Sequence, residues 1–189
     1  VGNLEKSDTI INKTIEKIRN NEVELNRITK MVLVIDEAQD MDEDEFNLVK
    51  ILMECNEEIR VIAVGDDDQN IFEFRGSDSK YLSQLLQIDN AVKYELVENY
   101  RSKNNLVQFT NQFVLNIKNR LKNTPIIAKQ TENGVLKIIN YQSNNLIVPL
   151  VNDIQNTDIT GTMCVLTRTN EEAMQITGLL LKNKISAKL

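Results

Sequence analysis

Two short apolar runs that each end abruptly in acidic residues constrain the fold of this chain more than any other feature. Residues 31–35 are rich in β-branched side chains and are followed directly by Asp36, and residues 61–64 are followed by Gly65 and Asp66. Short continuous apolar runs of this kind are typical of buried strands in parallel sheets. Residues with the periodicity of amphipathic helices lie before, between and after the two runs. This alternation predicts an α/β fold with a parallel sheet.

The alternation continues along the rest of the chain. Further strands are predicted at residues 92–97, 135–141, 163–167 and 185–189. Helices are predicted over residues 10–18 with a cap at Ser7 or Asp8, from about Asp44, over residues 81–86, after a cap at Ser102 and after a cap at Asn170. The chemical character of the chain changes near Arg101, so we predict a boundary at residues 100–103 between two incomplete α/β units.

Composition excludes several kinds of site. Histidine is absent, so zinc sites of the usual kind and Ser-His or Cys-His catalysis are not expected. Cys55 and Cys164 lie far apart among apolar neighbours, which predicts reduced, buried thiols in a cytoplasmic protein rather than a disulfide framework. No run approaches the ~18–20 apolar residues that cross a bilayer, so we expect no membrane partner.

Charge is unevenly distributed along the chain. The net charge of −6 has the wrong sign for a protein that binds nucleic acid simply by being basic. Seven of the ten residues at 36–45 are acidic, whereas residues 101–129 carry six basic side chains and no acidic one. Runs of charge are usually solvated faces, so this asymmetry permits nucleic-acid binding without indicating it.

The first candidate site follows the first predicted strand. Ligands of open α/β sheets bind at the carboxyl ends of the strands, where Asp36 and Glu37 emerge. An aspartate there can hold Mg²⁺, and a neighbouring glutamate can orient and deprotonate an attacking water. Acidic loop residues after an apolar strand are also common without any such role, so both interpretations stay open.

The second candidate site lies at residues 64–76, after the second predicted strand. Gln69 can bond a phosphate or a water without adding charge. Phe72 and Phe74 alternate with polar residues and precede Arg75, a pattern that suits stacking on unpaired bases. The alternative is that both phenylalanines lie in the core, which is the commoner location of this residue.

The third candidate site is the pair Tyr100 and Arg101. A tyrosine ring can stack on a base, and a guanidinium can bind phosphate oxygens in a bidentate manner. A single Tyr-Arg pair is far more often an ordinary surface feature.

Together the three segments resemble a known family. DEAQD at 36–40, GDDDQNIFEFRG at 65–76 and ENYRS at 98–102 resemble motifs II, III and IV of the UvrD/Rep/PcrA family of superfamily 1 DNA helicases. VLTRTN at 165–170 and the helix after it resemble the start of the family's second motor domain, whereas residues 1–30 match no motif. The resemblance implies a parallel-sheet P-loop NTPase (RecA-like) fold. It also implies two tandem motor domains, each present in part, at residues 1–100 and 101–189.

The resemblance implies a role in nucleotide handling for four of the matched positions. Asp36 would hold Mg²⁺, and Glu37 would contact the metal and activate water. Gln39 would lie near the γ-phosphate. Gln69 would link the nucleotide state to the grip on DNA. The implied cofactors are therefore ATP and Mg²⁺.

Five further positions complete the roles that the resemblance implies. Tyr100 would stack on adenine, and Arg101 would reach the γ-phosphate and stabilise the transition state. Phe72, Phe74 and Arg75 would line the path of single-stranded DNA. The implied partners are ATP and single-stranded or partly duplex DNA; no protein partner is predicted.

The chain departs from the family pattern in several ways. The family usually has tyrosine and tryptophan where this chain has Phe72 and Phe74, and a basic residue is common where Glu73 stands. No Gly-rich loop that ends in Gly-Lys-Ser/Thr occurs, and the later motor motifs are also missing. Because the chain also begins with valine, we expect an internal piece of a longer protein. By itself this piece should neither hydrolyse ATP nor bind it tightly.

The predicted function is that of an ATP-dependent DNA helicase or translocase. Its parent protein would couple ATP hydrolysis to movement on single-stranded DNA and to duplex unwinding, in DNA repair or recombination. One alternative is a motor module within a helicase-nuclease or a fused helicase. Another is a binding or regulatory protein that keeps the motor fold without ATPase activity. An acidic metal-dependent hydrolase is a more distant third possibility.

Overall fold

The computed structural model describes residues 7–23, 30–158 and 160–189, apart from the side chains of residues 7–9 and 75. The predicted cap at Ser7 or Asp8 therefore lies outside the described side chains. The chain divides into two compact units, Val1–Val135 and Leu136–Leu189. The predicted domain boundary at 100–103 lies elsewhere and stays a prediction about domains rather than about these units.

The first unit contains the two strands that the apolar runs predict. β1 (Val32–Ile35) and β2 (Arg60–Ala63) pair in parallel, with Val32 opposite Arg60 and Ile35 opposite Ala63. Strands that alternate with helices and pair in parallel confirm the predicted α/β class. The expectation that these strands are buried is confirmed for only one of their two faces. Alternate side chains pack on the core, whereas Val32 and the other residues of the opposite face are exposed.

Three helices cover the packed face of this sheet or extend its core. α1 (Ser7–Arg19) packs against α2 (Glu43–Glu54), and α3 (Lys80–Leu86) completes the unit's main core. α2 begins where predicted because Asp42 and Glu45 form a reciprocal capping box. The helices that periodicity predicts in this part of the chain are therefore confirmed.

A second, shorter strand pair corrects the prediction for residues 92–97. That run is not a strand; the strand is β3 (Glu98–Asn99), which pairs in parallel with β4 (Ile127–Ala128). Apolar and β-branched composition favours extended backbone, but a strand also needs a neighbour with which to exchange hydrogen bonds. Among the described residues, Val97 meets such a neighbour only at its carbonyl, which accepts a hydrogen bond from Ile127 N–H at 2.7 Å.

α4 (Asn104–Phe113) follows the β3 strand. Its N-cap is Lys103 rather than the predicted Ser102, and the Lys103 side chain does not cap it. The Ser102 N–H instead donates to the Asn99 side-chain oxygen at 2.8 Å, so the turn at Asn99 sets where the helix begins.

The second unit is built on two helices. α5 (Ile147–Gln155), which was not predicted, packs on α6 (Asn170–Lys182) through a small apolar core. The predicted cap of α6 at Asn170 is wrong by one residue, because Thr169 forms the capping box with Glu172. In neither unit does a described helix have the length and apolarity that a bilayer crossing requires.

The runs predicted as strands at 135–141, 163–167 and 185–189 are not strands within the described residues. Val165 and Ile185 pack against the helix pair, so the last two runs line its core as single extended segments. Without a paired neighbour, their backbone groups form no ladder.

Both cysteines are free, as predicted, but the expectation of burial is wrong for each. Cys55 is the C-cap of α2, beyond the apolar stripe of that helix, and Cys164 precedes half-buried Val165 in an extended segment, so its side chain points to the other face. Apolar neighbours in sequence therefore did not determine which face each thiol occupies.

Candidate functional site

The acidic residues of the first two motifs leave neighbouring strands at the same edge of the sheet. Asp36 follows β1, and Asp66 follows β2 after two residues of loop. The parallel pairing continues past the strand ends, since Val64 N–H donates to the Ile35 carbonyl at 2.8 Å and Ala38 N–H donates to the Val64 carbonyl at 2.9 Å. The two loops therefore start from a common, fixed edge.

The backbone of Glu37 adopts an uncommon conformation. Its φ of 50° and ψ of 42° lie in the left-handed region, which few residues other than glycine occupy. The Glu37 N–H donates to Asp36 Oδ1 at 3.0 Å, which supports the turn. Such strained positions persist where the surroundings hold them, and here the strain directs the chain from β1 into the short turn Ala38–Asp40.

Gln39 is the buried link between the two loops. The residue is 2% exposed, its Nε2 donates to Glu37 Oε2 at 2.8 Å, and its Oε1 accepts from Asp66 N–H at 2.9 Å. The Gln39 carbonyl accepts from Asn70 Nδ2 at 3.0 Å. One buried amide thus holds the Glu37 carboxylate and the second loop at the same time.

Gly65 allows this close approach. A Cβ at this position would lie 2.7 Å from Gln39 Oε1 and 3.0 Å from the Gln39 backbone nitrogen. Real Cβ atoms do not approach other atoms so closely, so a larger residue would push the loops apart.

Gln69 joins the same network through Asp66. Gln69 Nε2 donates to Asp66 Oδ2 at 2.8 Å, and Asp66 Oδ1 accepts from Asp68 N–H at 3.1 Å at the start of the turn Asp67–Gln69. The structure therefore brings Glu37, Gln39 and Gln69 together in one chain of hydrogen bonds.

Tyr100 and Arg101 lie outside this network among the described residues. The Tyr100 hydroxyl donates to the Glu98 carboxylate, and this hydrogen bond raises the pKa of the phenol above its ordinary value. Asn99 Oδ1 accepts from Arg101 N–H at 3.0 Å, and Gln130 Nε2 donates to the carbonyls of both residues of the pair. The backbone of the pair is thus fixed while both side chains are exposed.

The two phenylalanines of the second motif do not belong to the buried core, so the core interpretation is wrong. Phe74 is 78% exposed, Phe72 is half-buried, and their ring centroids lie 6.1 Å apart at an interplanar angle of 54°. They flank Glu73, and a left-handed Gly76 ends the turn. The side chain of Arg75 lies outside the described part of the chain.

A set of charged residues near the site was not predicted. Arg120 forms two hydrogen bonds with Asp68, at 2.6 and 2.7 Å, and Lys122 pairs with Asp66 and Asp68. The pKa of the Asp68 carboxyl lies below its ordinary value, chiefly because Arg120 donates to it. The sequence did show that residues 101–129 carry basic side chains and no acidic one. It could not show that these basic side chains pair with the acidic residues at 66–68.

The carboxylates of the site suit a metal ion that is also bound by a substrate, rather than one held by protein side chains alone. Among the described residues, no three or more Asp, Glu, Cys or His side chains form a metal-binding group. Asp36 and Glu37 are exposed at the strand end, whereas Asp40 Oδ1 is buried without a hydrogen-bond partner. Mg²⁺ commonly takes one or two carboxylates together with substrate phosphates and water, and this donor set fits that arrangement.

Comparison with known proteins finds DNA helicases. Over 115 residues, or 60% of the chain, it is 35% identical to the ATP-dependent DNA helicase Rep of Escherichia coli, of which the match covers 17%. It is 29% identical over 167 residues (80% of the chain) to Rep of Buchnera aphidicola subsp. Schizaphis graminum, covering 24% of that protein. The ATP-dependent DNA helicase PcrA of Bacillus subtilis is 29% identical over 157 residues, 78% of the chain and 21% of PcrA. The chain thus spans less than a quarter of the length of these curated relatives.

Two consecutive parts of the chain match two domains of known helicases. Residues 3–90 match the UvrD/REP helicase N-terminal domain, and residues 94–189 match the UvrD-like helicase C-terminal domain. The second match alone takes in more than half of the 189 residues. These domains imply a P-loop NTPase fold, which agrees with the parallel strand pairs and their helices. The chain belongs to the UvrD-like helicase family.

Proposed function

We propose that this chain is the part of an ATP-dependent DNA helicase that connects the nucleotide site to the DNA path. The observation that carries the proposal is the hydrogen-bonded chain from Glu37 through Gln39 and Asp66 to Gln69. It links Glu37, the proposed catalytic base, to the loop that bears Phe72 and Phe74, so a displacement of one group can move the other. The whole protein would translocate on single-stranded DNA, unwind duplexes and act in repair or recombination in the cytoplasm.

In the proposed reaction, Glu37 accepts the proton of the attacking water. Gln39 Nε2 donates to its carboxylate and so limits the rotation of that side chain. Asp36 and Glu37 would hold Mg²⁺, which neutralises developing charge on the phosphates. Gln39 and Gln69 would complete the γ-phosphate side of the site with uncharged amides.

The remaining nucleotide contacts would come from Tyr100 and Arg101. The exposed ring of Tyr100 offers a stacking face for adenine, and Arg101 offers a guanidinium for the γ-phosphate. We assign residues 1–100 and 101–189 to parts of two tandem RecA-like motor domains. Arg101 would then contact the γ-phosphate only in the ATP-bound state.

On the DNA side, Phe72 and Phe74 would stack on unpaired bases, with Arg75 near the backbone. The exposure of Phe74 supports this role, since a ring must be reachable to stack. Asn70 connects the proposed nucleotide site with the proposed DNA-stacking loop. Its side chain donates to the Gln39 carbonyl and accepts from Phe72 N–H, so it ties the stacking loop to the nucleotide side.

Substitution of Glu37 tests the catalytic assignment. In the full-length protein, Glu37→Gln should reduce DNA-stimulated ATP hydrolysis by at least about a hundredfold while equilibrium ATP binding persists, because the amide keeps the shape but cannot accept a proton. Glu43→Gln is the matched control, since that acid lies in the first turn of α2. Undiminished turnover by Glu37→Gln would contradict the role, and a wild-type protein without ATPase activity would favour the idle motor-fold alternative.

A further inference from the structure

A basic segment after α4 binds the acidic turn of the second motif. We call the contacts of residues 120–122 with residues 66–68 the acid–base latch. Arg120 Nε and Nη2 contact the two oxygens of Asp68 at 2.6 and 2.7 Å, a bidentate arrangement. Lys122 Nζ contacts Asp66 Oδ1 and lies 3.1 Å from Asp68 Oδ2.

The backbone takes part in the latch as well. Leu121 N–H donates to Asp67 Oδ2 at 2.5 Å, so each of the three consecutive carboxylates has a partner from the basic segment. A main-chain donor between two cationic side chains fixes the segment in register. This contact therefore has a defined geometry, unlike a loose attraction between charged surfaces.

The latch is shielded from solvent. The exposed fractions of its ion-paired side chains are 17% for Arg120, 21% for Lys122, 9% for Asp68 and 28% for Asp66. Partly buried ion pairs are screened much less than exposed ones, and bidentate charge-assisted hydrogen bonds are among the stronger polar contacts. The exposed pair of Lys103 with Glu132, at 43% and 77%, is the opposite case.

Asp66 connects the latch to the proposed ATPase residues. One oxygen of its carboxylate contacts Lys122, and the other accepts the Gln69 amide at 2.8 Å. Its backbone N–H donates to Gln39, which in turn holds Glu37. Because Lys122 fixes the orientation of the Asp66 carboxylate, it indirectly fixes where the Gln69 side chain points.

We propose that Arg120 and Lys122 are positioning residues for ATP hydrolysis, which they support by holding the 66–68 turn so that Gln69 and Glu37 keep their working geometry. This inference rests on the proposed function. The acidic turn lies in the N-terminal domain match and the basic segment in the C-terminal one, 52 residues from Asp68 to Arg120. The latch thereby makes the geometry of the hydrolytic residues depend on a segment of the second domain.

Steady-state kinetics of the full-length protein tests the latch. Lys122→Gln and Arg120→Gln should each lower kcat for DNA-stimulated ATP hydrolysis by about tenfold and change KM for ATP by less than about threefold, because positioning affects the transition state more than ground-state binding. Lys122→Arg should retain most of the ATPase activity because it keeps the positive charge. Lys118→Gln is the matched control, since Lys118 is an exposed cation of the same segment.

The outcomes separate this inference from the function on which it rests. An active wild-type protein whose Lys122→Gln variant keeps its kcat, or loses no more than Lys118→Gln does, would overturn the latch alone. The double variant Arg120→Asp with Asp68→Arg reverses the charges of the pair. If it regains part of the kcat that the single variants lose, the latch is supported even if the single variants fold poorly. A wild-type protein without ATPase activity would overturn the proposed function and the latch's role together.

Discussion

At the scale of single residues, the site depends on close contacts that leave no spare space. The Gln39 amide fills the gap between the two loops, and the absent side chain of Gly65 makes that gap narrow enough. The left-handed backbone of Glu37 turns the chain into the same gap. A substitution at any of these residues should therefore affect both the stability of the fold and the orientation of the Glu37 carboxylate.

Gly65→Ala should destabilise the first unit by about 1–3 kcal/mol, because its Cβ would collide with the Gln39 side chain and backbone. Urea unfolding monitored by circular dichroism measures the effect. The control is Gly178→Ala within α6, where a Cβ meets nothing within 4 Å and should stabilise the helix by about 0.5–1 kcal/mol. Equal effects of the two substitutions would contradict the close packing at Gly65.

The latch also predicts how stability depends on pH. Because Arg120 and Lys122 lower the pKa of Asp68 in the folded state, the unfolded state binds more protons in acid. The stabilisation is therefore present above the ordinary carboxyl pKa of 3.8 and is lost as pH falls through the lower folded pKa. Contacts with Asp66 and Asp68 raise the pKa of Lys122 above 10.5 despite its burial, so its contribution disappears only in strong base.

Accordingly, the difference in unfolding free energy between wild type and Asp68→Asn should be constant from about pH 5 to 9 and shrink in acid. Urea titrations at several pH values measure it. Asp89→Asn serves as the control, because Asp89 has no part in the latch. A difference that grows as pH falls would contradict the ion-pair assignment.

At the scale of elements, side-chain caps mark the starts of two helices, whereas α3, α4 and α5 begin without one. α2 and α6 both start with a reciprocal capping box, at Asp42 with Glu45 and at Thr169 with Glu172. The α2 box sits beside the candidate site, only two residues after the turn Ala38–Asp40. The cap therefore fixes the far end of the loop that carries Glu37, the proposed catalytic base.

Asp42→Ala should cost about 1 kcal/mol of stability, because the Glu45 N–H would lose its acceptor at 2.9 Å. Asp42→Ser should retain most of the stability, since a serine hydroxyl also caps. Thermal unfolding by circular dichroism distinguishes the two variants. If serine and alanine were equally destabilising, charge at this position rather than capping would be responsible.

The strands show how far composition can predict an element. Residues 32–35 and 60–63 pair in parallel, and α2, which connects them, packs on one side of the pair. Residues 92–97 alternate apolar with charged side chains, but within the described chain their backbone pairs with no strand along most of its length. β-Propensity is a local property, whereas pairing is a property of two segments.

At the scale of the whole molecule, one face of the main sheet is uncovered among the described residues. Val32, Val34, Ile62 and Val64 lie exposed on neighbouring strands. Parallel sheets in soluble proteins are normally covered on both faces. This apolar face therefore favours self-association of the 189-residue chain when it is studied by itself.

We expect the isolated chain to bind the dye ANS in its folded state and to self-associate as its concentration rises. Val34→Thr should reduce both effects because it replaces a methyl group of this face with a hydroxyl. Ile138→Thr, at a well-exposed residue of the second unit, is the control. Dye fluorescence and analytical ultracentrifugation measure the two effects, and equal reduction by both variants would contradict a specific role for this face.

Features that depend on nearby residues could be predicted from the sequence. Periodic apolar side chains located five of the six described α-helices, with α5 the exception, and an apolar run that ends in Asp36 located the first strand and its acids. The motif segments identified the family, which the domain matches confirm. Spacing of this kind is readable because a helix face or a strand end is defined within a few residues.

Which distant groups meet became visible only in the folded chain. The fold buried Gln39 between two loops, paired Arg120 with Asp68 across 52 positions, and left both cysteines exposed. The physical reason is that a hydrogen bond or ion pair requires two groups within about 3 Å. For residues far apart in sequence, that distance is set by the path of the folded chain and by no local pattern.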